Sequence, residues 1–322
     1  MILAAGYGER MRPLSSKIPK ALLPVLGVPI IDIIARKLSR AGCAEIHCNL
    51  FHLSEAIESH AAAGGSPVRF HRETELLGTG GGIGNMADSV KRFAAVILHN
   101  GDIVSDVAFD PVLSFHESRG AFITLILVHS GPRANVLVTN GEVIEILEET
   151  APAKPEMGQR GRSLREGSLL GHTGLAILSP EAFDFFPRGA PAPLVPILRE
   201  MIRARPGSVA GYDASAESGA AWGEIGSPDG YLEMHRKILI DKVRFDPLIE
   251  PPPLPLHVGP GSAVDPGARW KGFLEIGPRA VVRGAAVLED CVLLEGTVVD
   301  GGEHRKEIIF DGGVLAAKEP RA

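Results

Sequence analysis

Over the first 128 residues or so, short apolar runs alternate with stretches of helical period. Residues 1–4 open as a strand, and 29–40 place Ile30, Ile31, Ile33, Ile34 and Leu38 on one helix face. Residues 45–49 read as a strand, 54–61 as a helix, 68–71 as a strand, about 82–93 as a helix and 94–99 as an apolar strand. The order β, α, β, α, β, α, β predicts crossover units that build a Rossmann-like, mixed but mainly parallel α/β sheet. Ligands of such sheets gather beyond the carboxyl ends of the strands. The loops after Ala4, His71 and His99 are therefore the first candidates for a site.

From about 121 to 240 the pattern changes to longer β-rich stretches at 122–128, 136–139, 143–147 and 173–178. A polar, Gly/Arg-rich segment at 151–170 interrupts them and is expected to be a loop; helices are expected at 180–185, 194–203 and 229–240. The Pro-rich run 247–255 predicts a stiff linker. Beyond it Val258, Val264, Trp270, Ile276, Val282, Leu288 and Leu294 recur every six residues. Two positions before all but the first stand Ser262, Ala268, Leu274, Ala280, Ala286 and Val292, which are mostly small. That hexapeptide period predicts a short left-handed parallel β-helix, with one apolar residue turned inward per flat side. The expected division is an α/β part at 1–245, a linker at 246–256 and the β-helix at 257–322.

Charge and cysteine usage narrow the function. With 33 Lys and Arg against 39 Asp and Glu, the formal charge of −6 argues against a nucleic-acid or anionic-membrane surface, so any phosphate site must be local. Cys43, Cys48 and Cys291 have no metal-ligand spacing and read as reduced, buried small residues. The apolar run before Gly6 is too short for a signal peptide or a membrane span, so a cytoplasmic location is expected.

A local phosphate site is written near the start. Leu3-Ala4-Ala5-Gly6-Tyr7-Gly8-Glu9-Arg10 runs from a strand into a loop whose glycines let backbone N–H groups approach an anion, and Arg10 and Lys20 add positive charge. A lone G-x-G is a weak signal, and neither a Walker lysine motif nor G-x-G-x-x-G is present. The full string L-A-A-G-x-G-x-R-M-x-P-L…P-K-x-L-x-P-V, about 23 residues, resembles the signature of the sugar-1-phosphate nucleotidyltransferase family.

The resemblance implies an enzyme that joins a nucleoside triphosphate to a sugar-1-phosphate and releases pyrophosphate. Residues 1–120 would take the nucleotide and 121–245 the sugar. Leu3, Ala4, Ala5, Gly6 and Gly8 would line the nucleotide, Arg10 would hold the β- and γ-phosphates, and Lys20 would contact the reacting phosphates. Glu75-Leu76-Leu77-Gly78-Thr79-Gly80-Gly81-Gly82 is similar to the family's second nucleotide loop, which implicates Gly78, Thr79 and Gly80. His99-Asn100-Gly101-Asp102 resembles the segment whose aspartate binds Mg²⁺, whereas Asp106 reads as a turn former. Trp222-Gly223-Glu224-Ile225-Gly226 carries Glu224 where the family has its second metal-binding aspartate. Thr173 and Gly174 stand at the position for the sugar hydroxyls. The family's Glu-Lys-Pro motif has only Glu148-Glu149-Thr150 and Lys154-Pro155 as approximate counterparts.

Glu73, ahead of the second loop, could accept hydrogen bonds from the two N–H groups of a guanine edge, which favours GTP. The catalytic domain, linker and β-helix together resemble mannose-1-phosphate guanylyltransferases. Residues 79–83 are also similar to N-acetylmuramate-1-phosphate uridylyltransferases, which leaves UTP as the second reading. Hexapeptide acyltransferases need longer solenoids than the two coils present here. A non-catalytic, nucleotide-sugar-binding regulatory paralogue would be expected to lose its cationic or metal residues, but Arg10, Lys20 and Asp102 are all retained. The β-helix offers a surface for homo-oligomerisation or for packing on the catalytic domain.

Overall fold

A computed structural model describes residues 1–129, 134–148, 167–216, 221–245 and 249–317. Its main sheet has nine strands in the order Val68–Arg72, Ile46–Leu50, Ile2–Leu3, Val96–Asn100, Ser168–Leu178, Ile123–Val128, Val209–Asp213, Glu142–Ile146 and Ala134–Thr139. The first four run parallel, as the βαβ pattern predicts. Ser168–Leu178 then enters antiparallel to both of its neighbours, and Val209–Asp213 returns parallel to Ile123–Val128. The predicted helix at 29–40 is found at Ile30–Arg40, with the five named apolar residues buried.

The second loop differs from expectation. The helix begins at Gly78 and runs to Val90, so Gly80, Gly81 and Gly82 lie inside it. A Cβ at Gly81 would run into the Ala190 carbonyl and one at Gly84 into the Pro187 carbonyl. These glycines cost helix propensity. In exchange they let the 187–192 backbone lie directly on the helix.

Several elements escaped the sequence pattern. Helix Phe109–Arg119 buries only Phe109, Val112 and His116, too few for a clear apolar stripe. Val209–Asp213 is short, and Ile103–Ser105 pairs with Trp222–Glu224 across more than a hundred residues.

The tail forms parallel coils compatible with a β-helix. Leu256 pairs with Leu274, Ala263 with Val281 and Arg269 with Val287, each partner three hexads further on. Ile276, Val282 and Leu288 fill the interior. Their counterparts in the first coil, Val258, Val264 and Trp270, are 46%, 41% and 43% exposed because no coil lies beyond them. At the other end Gly313–Ala316 folds back antiparallel on Glu307–Phe310 and closes the stack. The tail also shares the main core: Phe273, Val292, Leu294, Ile308 and Phe310 pack in the same cluster as Ile30, Ile34 and Tyr231.

Candidate active site

Leu3 pairs with Asn100 at the ends of two central parallel strands, so Ala4–Gly6 and Gly101–Asp102 leave the sheet at the same edge. The Gly101 N–H donates to the Leu3 carbonyl at 2.8 Å, an approach that a side chain at Gly101 would obstruct. Gly8, at φ 69°, precedes the turn Glu9–Met11 that carries Arg10. A Cβ at Gly8 would come within 3.1 Å of the Lys20 stem, so this glycine leaves room for the lysine to pass. Lys20 itself starts the turn Lys20–Leu22.

The short antiparallel ribbon brings in the second carboxylate. Glu224 pairs with Ile103, and the Ile225 N–H donates to the Asp102 carbonyl at 2.9 Å. A Cβ added at Gly226 would lie 2.7 Å from Asp102 Oδ2, 2.9 Å from Glu224 Oε1 and 2.9 Å from Arg10 Nη2. Two carboxylates and a guanidinium therefore converge on one point, which only glycine leaves open. Lys20 Nζ pairs with Asp102 Oδ2 at 3.2 Å, and Arg10 pairs with Glu224. Each carboxylate is thus charge-compensated by one cation.

Beside this cluster lies a cleft of about 250 Å³. Leu3, Ala4, Ala5, Gly6, Lys20, Gly78, Thr79 and Asp102 line it, as expected, together with Asn49, Leu76 and Asn100. Asn49 was not anticipated; its signal is a buried amide near the carboxyl end of a fully buried strand. Its Oδ1 accepts from the Ala4 N–H at 2.8 Å and fixes the start of the glycine loop.

Three expected site residues are placed differently. Glu73 is 7% exposed; its Oε1 accepts from Asn49 Nδ2 at 2.7 Å and its Oε2 from the Leu77 N–H at 3.1 Å. Its carboxylate holds the second loop to the first and does not line the cleft where a base would be read. Gly80 packs under Ala192 and Pro193, and its N–H donates to the Ala192 carbonyl at 2.9 Å, so it too lies away from the cleft. Thr173 is fully buried, and its hydroxyl donates to the Ile126 carbonyl at 2.7 Å, which leaves it no reach toward a sugar. Gly174, at φ 80°, sits where the pairing register of its strand shifts, against Asn100. Asp106 accepts from the Ala221 N–H, in keeping with a structural turn residue. Of the approximate Glu-Lys-Pro counterparts, Glu148 is largely exposed, while Glu149, Thr150, Lys154 and Pro155 lie outside the described residues.

The donor set suits Mg²⁺. Among the described residues no group of three or more His, Cys, Asp or Glu side chains stands together as a cage for a metal ion. Mg²⁺ at phosphate-handling sites typically takes one or two carboxylates and fills its other positions with water and substrate phosphates. Asp102 and Glu224, converging beside the cleft, match that pattern.

The chain's residues 1–240 match the family described as "Nucleotidyl transferase". This chain belongs to that family. It is 27% identical over 314 residues to a mannose-1-phosphate guanylyltransferase of Mycobacterium tuberculosis, a match covering 94% of this chain and 81% of that protein. It is 32% identical over 209 residues to an N-acetylmuramate alpha-1-phosphate uridylyltransferase of Neisseria meningitidis, covering 63% of this chain and 84% of that one. Among solved structures, a putative glucose-1-phosphate thymidylyltransferase from Bacillus anthracis superposes with a TM-score of 0.58 at 18% identity, over 72% of this chain and 92% of that chain. HddC from Yersinia pseudotuberculosis, complexed with GMP-PN, superposes with a TM-score of 0.56 at 21% identity, over 72% and 96%. At these identities the superpositions bear on the fold alone, and they agree with the mixed sheet described above.

Two imidazoles near the site, His99 buried and His172 half-buried, give this nucleotidyltransferase a pH signature. Burial, reinforced by the charge of Lys37, pushes His99 down to about 3, and burial pushes His172 down to about 4. Both stay neutral when folded, whereas in the unfolded chain they titrate near the ordinary histidine value of about 6.5. As pH falls below about 6.5 the unfolded state therefore takes up protons that the folded state refuses, and stability falls by about 1.4 kcal/mol per pH unit for each group until the folded values are reached. Urea midpoints should drop steadily from pH 7 to pH 5. An unchanged midpoint over that interval would show that these imidazoles accept protons in the fold.

Proposed function

We propose that this enzyme transfers the nucleotidyl group of GTP to a sugar-1-phosphate of the mannose-1-phosphate class, giving a nucleotide-sugar and pyrophosphate with Mg²⁺. The observation that carries this reading is the convergence of Asp102, Glu224 and Arg10 at Gly226, with Lys20 on Asp102, at the edge of a glycine-lined cleft. In the reaction a phosphate oxygen of the sugar-1-phosphate attacks the α-phosphorus. The new O–P bond forms as the bond to the β-phosphate oxygen breaks, and pyrophosphate leaves. The nucleophile is already an anion, so no general base is required. The barrier comes from bringing two polyanions together, and positioning with charge neutralisation lowers it.

Asp102 and Glu224 would hold Mg²⁺, which supplies charge neutralisation at the reacting phosphates. Lys20 and Arg10, now on the carboxylates, would be released to the phosphates. The N–H groups of Ala5 and Gly6 would approach the triphosphate, while Leu76, Gly78 and Thr79 would border the base. Residues 1–120 would take the nucleotide and 121–245 the sugar in this reading, and the tail coils that begin at 257 would run left-handed. The exposed Val258, Val264 and Trp270 suit a homo-oligomer contact. No helix among the described residues is long and apolar enough to cross a membrane, in keeping with the cytoplasmic assignment proposed here.

The guanylyl assignment rests on the Mycobacterium relative, whose match extends through the tail, because Glu73 no longer supports it. UTP is the second reading, favoured by the 32% identity to the Neisseria uridylyltransferase. Pyrophosphate release should be measured with each nucleoside triphosphate against a panel of sugar-1-phosphates. GTP with mannose-1-phosphate is expected to give the fastest release. Faster release with UTP would select the second reading, and no release with any pair would favour a nucleotide-sugar-binding regulatory protein.

A further inference from the structure

Glu275 lies in the tail, on strand Arg269–Ile276, between the inward Leu274 and Ile276. It points the other way, is 1% exposed, and its two oxygens reach two elements that lead to the site. Its Oε2 accepts from the Leu26 N–H at 3.2 Å, and its Oε1 accepts from the Gly27 N–H at 3.0 Å. Leu26 and Gly27 are the tip of the hairpin formed by Pro24–Val25 and Val28–Pro29, only a few residues after Lys20. Both have positive φ, 46° and 75°, and such a backbone is strained for leucine. The carboxylate thus ties down a tip whose backbone is strained at Leu26.

Oε2 of Glu275 also lies 2.7 Å from His235 Nε2, and that imidazole is fully buried on helix Pro228–Leu239. His235 Nδ1 faces the Tyr231 carbonyl at 2.8 Å, so Nδ1 carries a hydrogen. The carboxylate thus packs directly on the buried edge of that imidazole while it accepts from the two hairpin amides. Burial alone would push the Glu275 carboxyl up, but His235, His257 and the Gly27 N–H outweigh it and hold it below the usual carboxylate value. The same helix sends the Tyr231 hydroxyl to the Pro24 carbonyl, and Lys237 Nζ to the Trp222 carbonyl at 2.9 Å. The helix starts just after Glu224 and Gly226, with Ser227 as its cap.

We propose that Glu275 is a positioning residue of the nucleotidyl transfer: from the tail it locks the hairpin behind Lys20 and the helix behind Glu224 into one register. The tail thereby sets the spacing of the cationic and carboxylate halves of the site. The kinetic consequence rests on the function proposed above; the structural consequence does not. Glu275→Gln keeps the shape but leaves one oxygen for the two amide donors, so the hairpin tip loses an acceptor. Ile308→Val serves as the comparison, since Ile308 packs the tail on the same core without touching the hairpin amides.

At a temperature where both variants are folded, Glu275→Gln is expected to lower kcat about tenfold with both KM values within about twofold, because small misplacement costs rate more than binding. Ile308→Val should lower the melting temperature and leave kcat unchanged. Hydrogen exchange read by mass spectrometry should be faster in residues 17–23 and 222–227 of Glu275→Gln than in either Ile308→Val or the wild type. Unchanged kcat in Glu275→Gln, or equal losses of kcat in both variants, would reduce Glu275 to a tail anchor and overturn the proposal. If the wild type turns over no substrate pair, the proposed function has failed and exchange alone decides: faster exchange in both segments upholds the positioning, and unchanged exchange overturns it.

Discussion

Asp102→Asn is expected to abolish turnover, by more than about 10³-fold, while the protein stays folded. Losing a single preorganised electrostatic donor at such a site costs about 10²–10³. Asp102 has a double role, since its Oδ2 faces both the convergence point at Gly226 and Lys20 Nζ. An amide there removes one of two carboxylates from the Mg²⁺ donor set and leaves Lys20 without its ion-pair partner. The cost in stability should be small. Both side chains are partly solvated, at 19% and 23% exposure, and the isosteric amide can still accept from Lys20 Nζ. Pyrophosphate release and a thermal melt, run on the same preparation, check both halves of the expectation. Near-normal turnover would remove Asp102 from the mechanism.

The second large effect is at Lys20. Lys20→Met should lower kcat by about 10²–10³ with an unchanged melting temperature, because the stem that passes Gly8 is retained and only the charge is lost. Lys20→Arg should restore little of the loss. The passage between Gly8 and Asp102 admits a narrow chain ending in one point charge, and a planar guanidinium presents its donors in a different geometry. A Lys20→Arg enzyme within a few-fold of the wild type would show that charge alone, without placement, is what Lys20 supplies.

Much of this was legible in the sequence because it depends on period and on local motifs. The helix Ile30–Arg40 and the parallel strands follow from apolar spacing. The string from Leu3 to Val25 marks the cleft, and the six-residue recurrence marks the coils of the tail. Side-chain destination was less legible. Glu73 reads as a free acceptor ahead of the second loop and Thr173 stands at a matching motif position, yet each is consumed by a buried backbone or amide partner that only the folded chain brings within reach. The glycines at 80–84 look like a ligand loop, but most of them answer to the 187–192 backbone pressed on their helix. The ribbon that delivers Glu224 to Asp102 spans too long a sequence separation and too few residues to leave a periodic trace. Glu275 falls between two hexad core positions, and nothing local says which face of a coil meets the catalytic sheet.

The most direct test of the central claim follows the label of the triphosphate. The enzyme should be incubated with GTP labelled at either the α- or the γ-phosphate, together with mannose-1-phosphate and Mg²⁺. The account predicts that α-label appears in the nucleotide-sugar and γ-label in pyrophosphate. Label from the γ-phosphate in the sugar product, or in inorganic phosphate without any nucleotide-sugar, would contradict it.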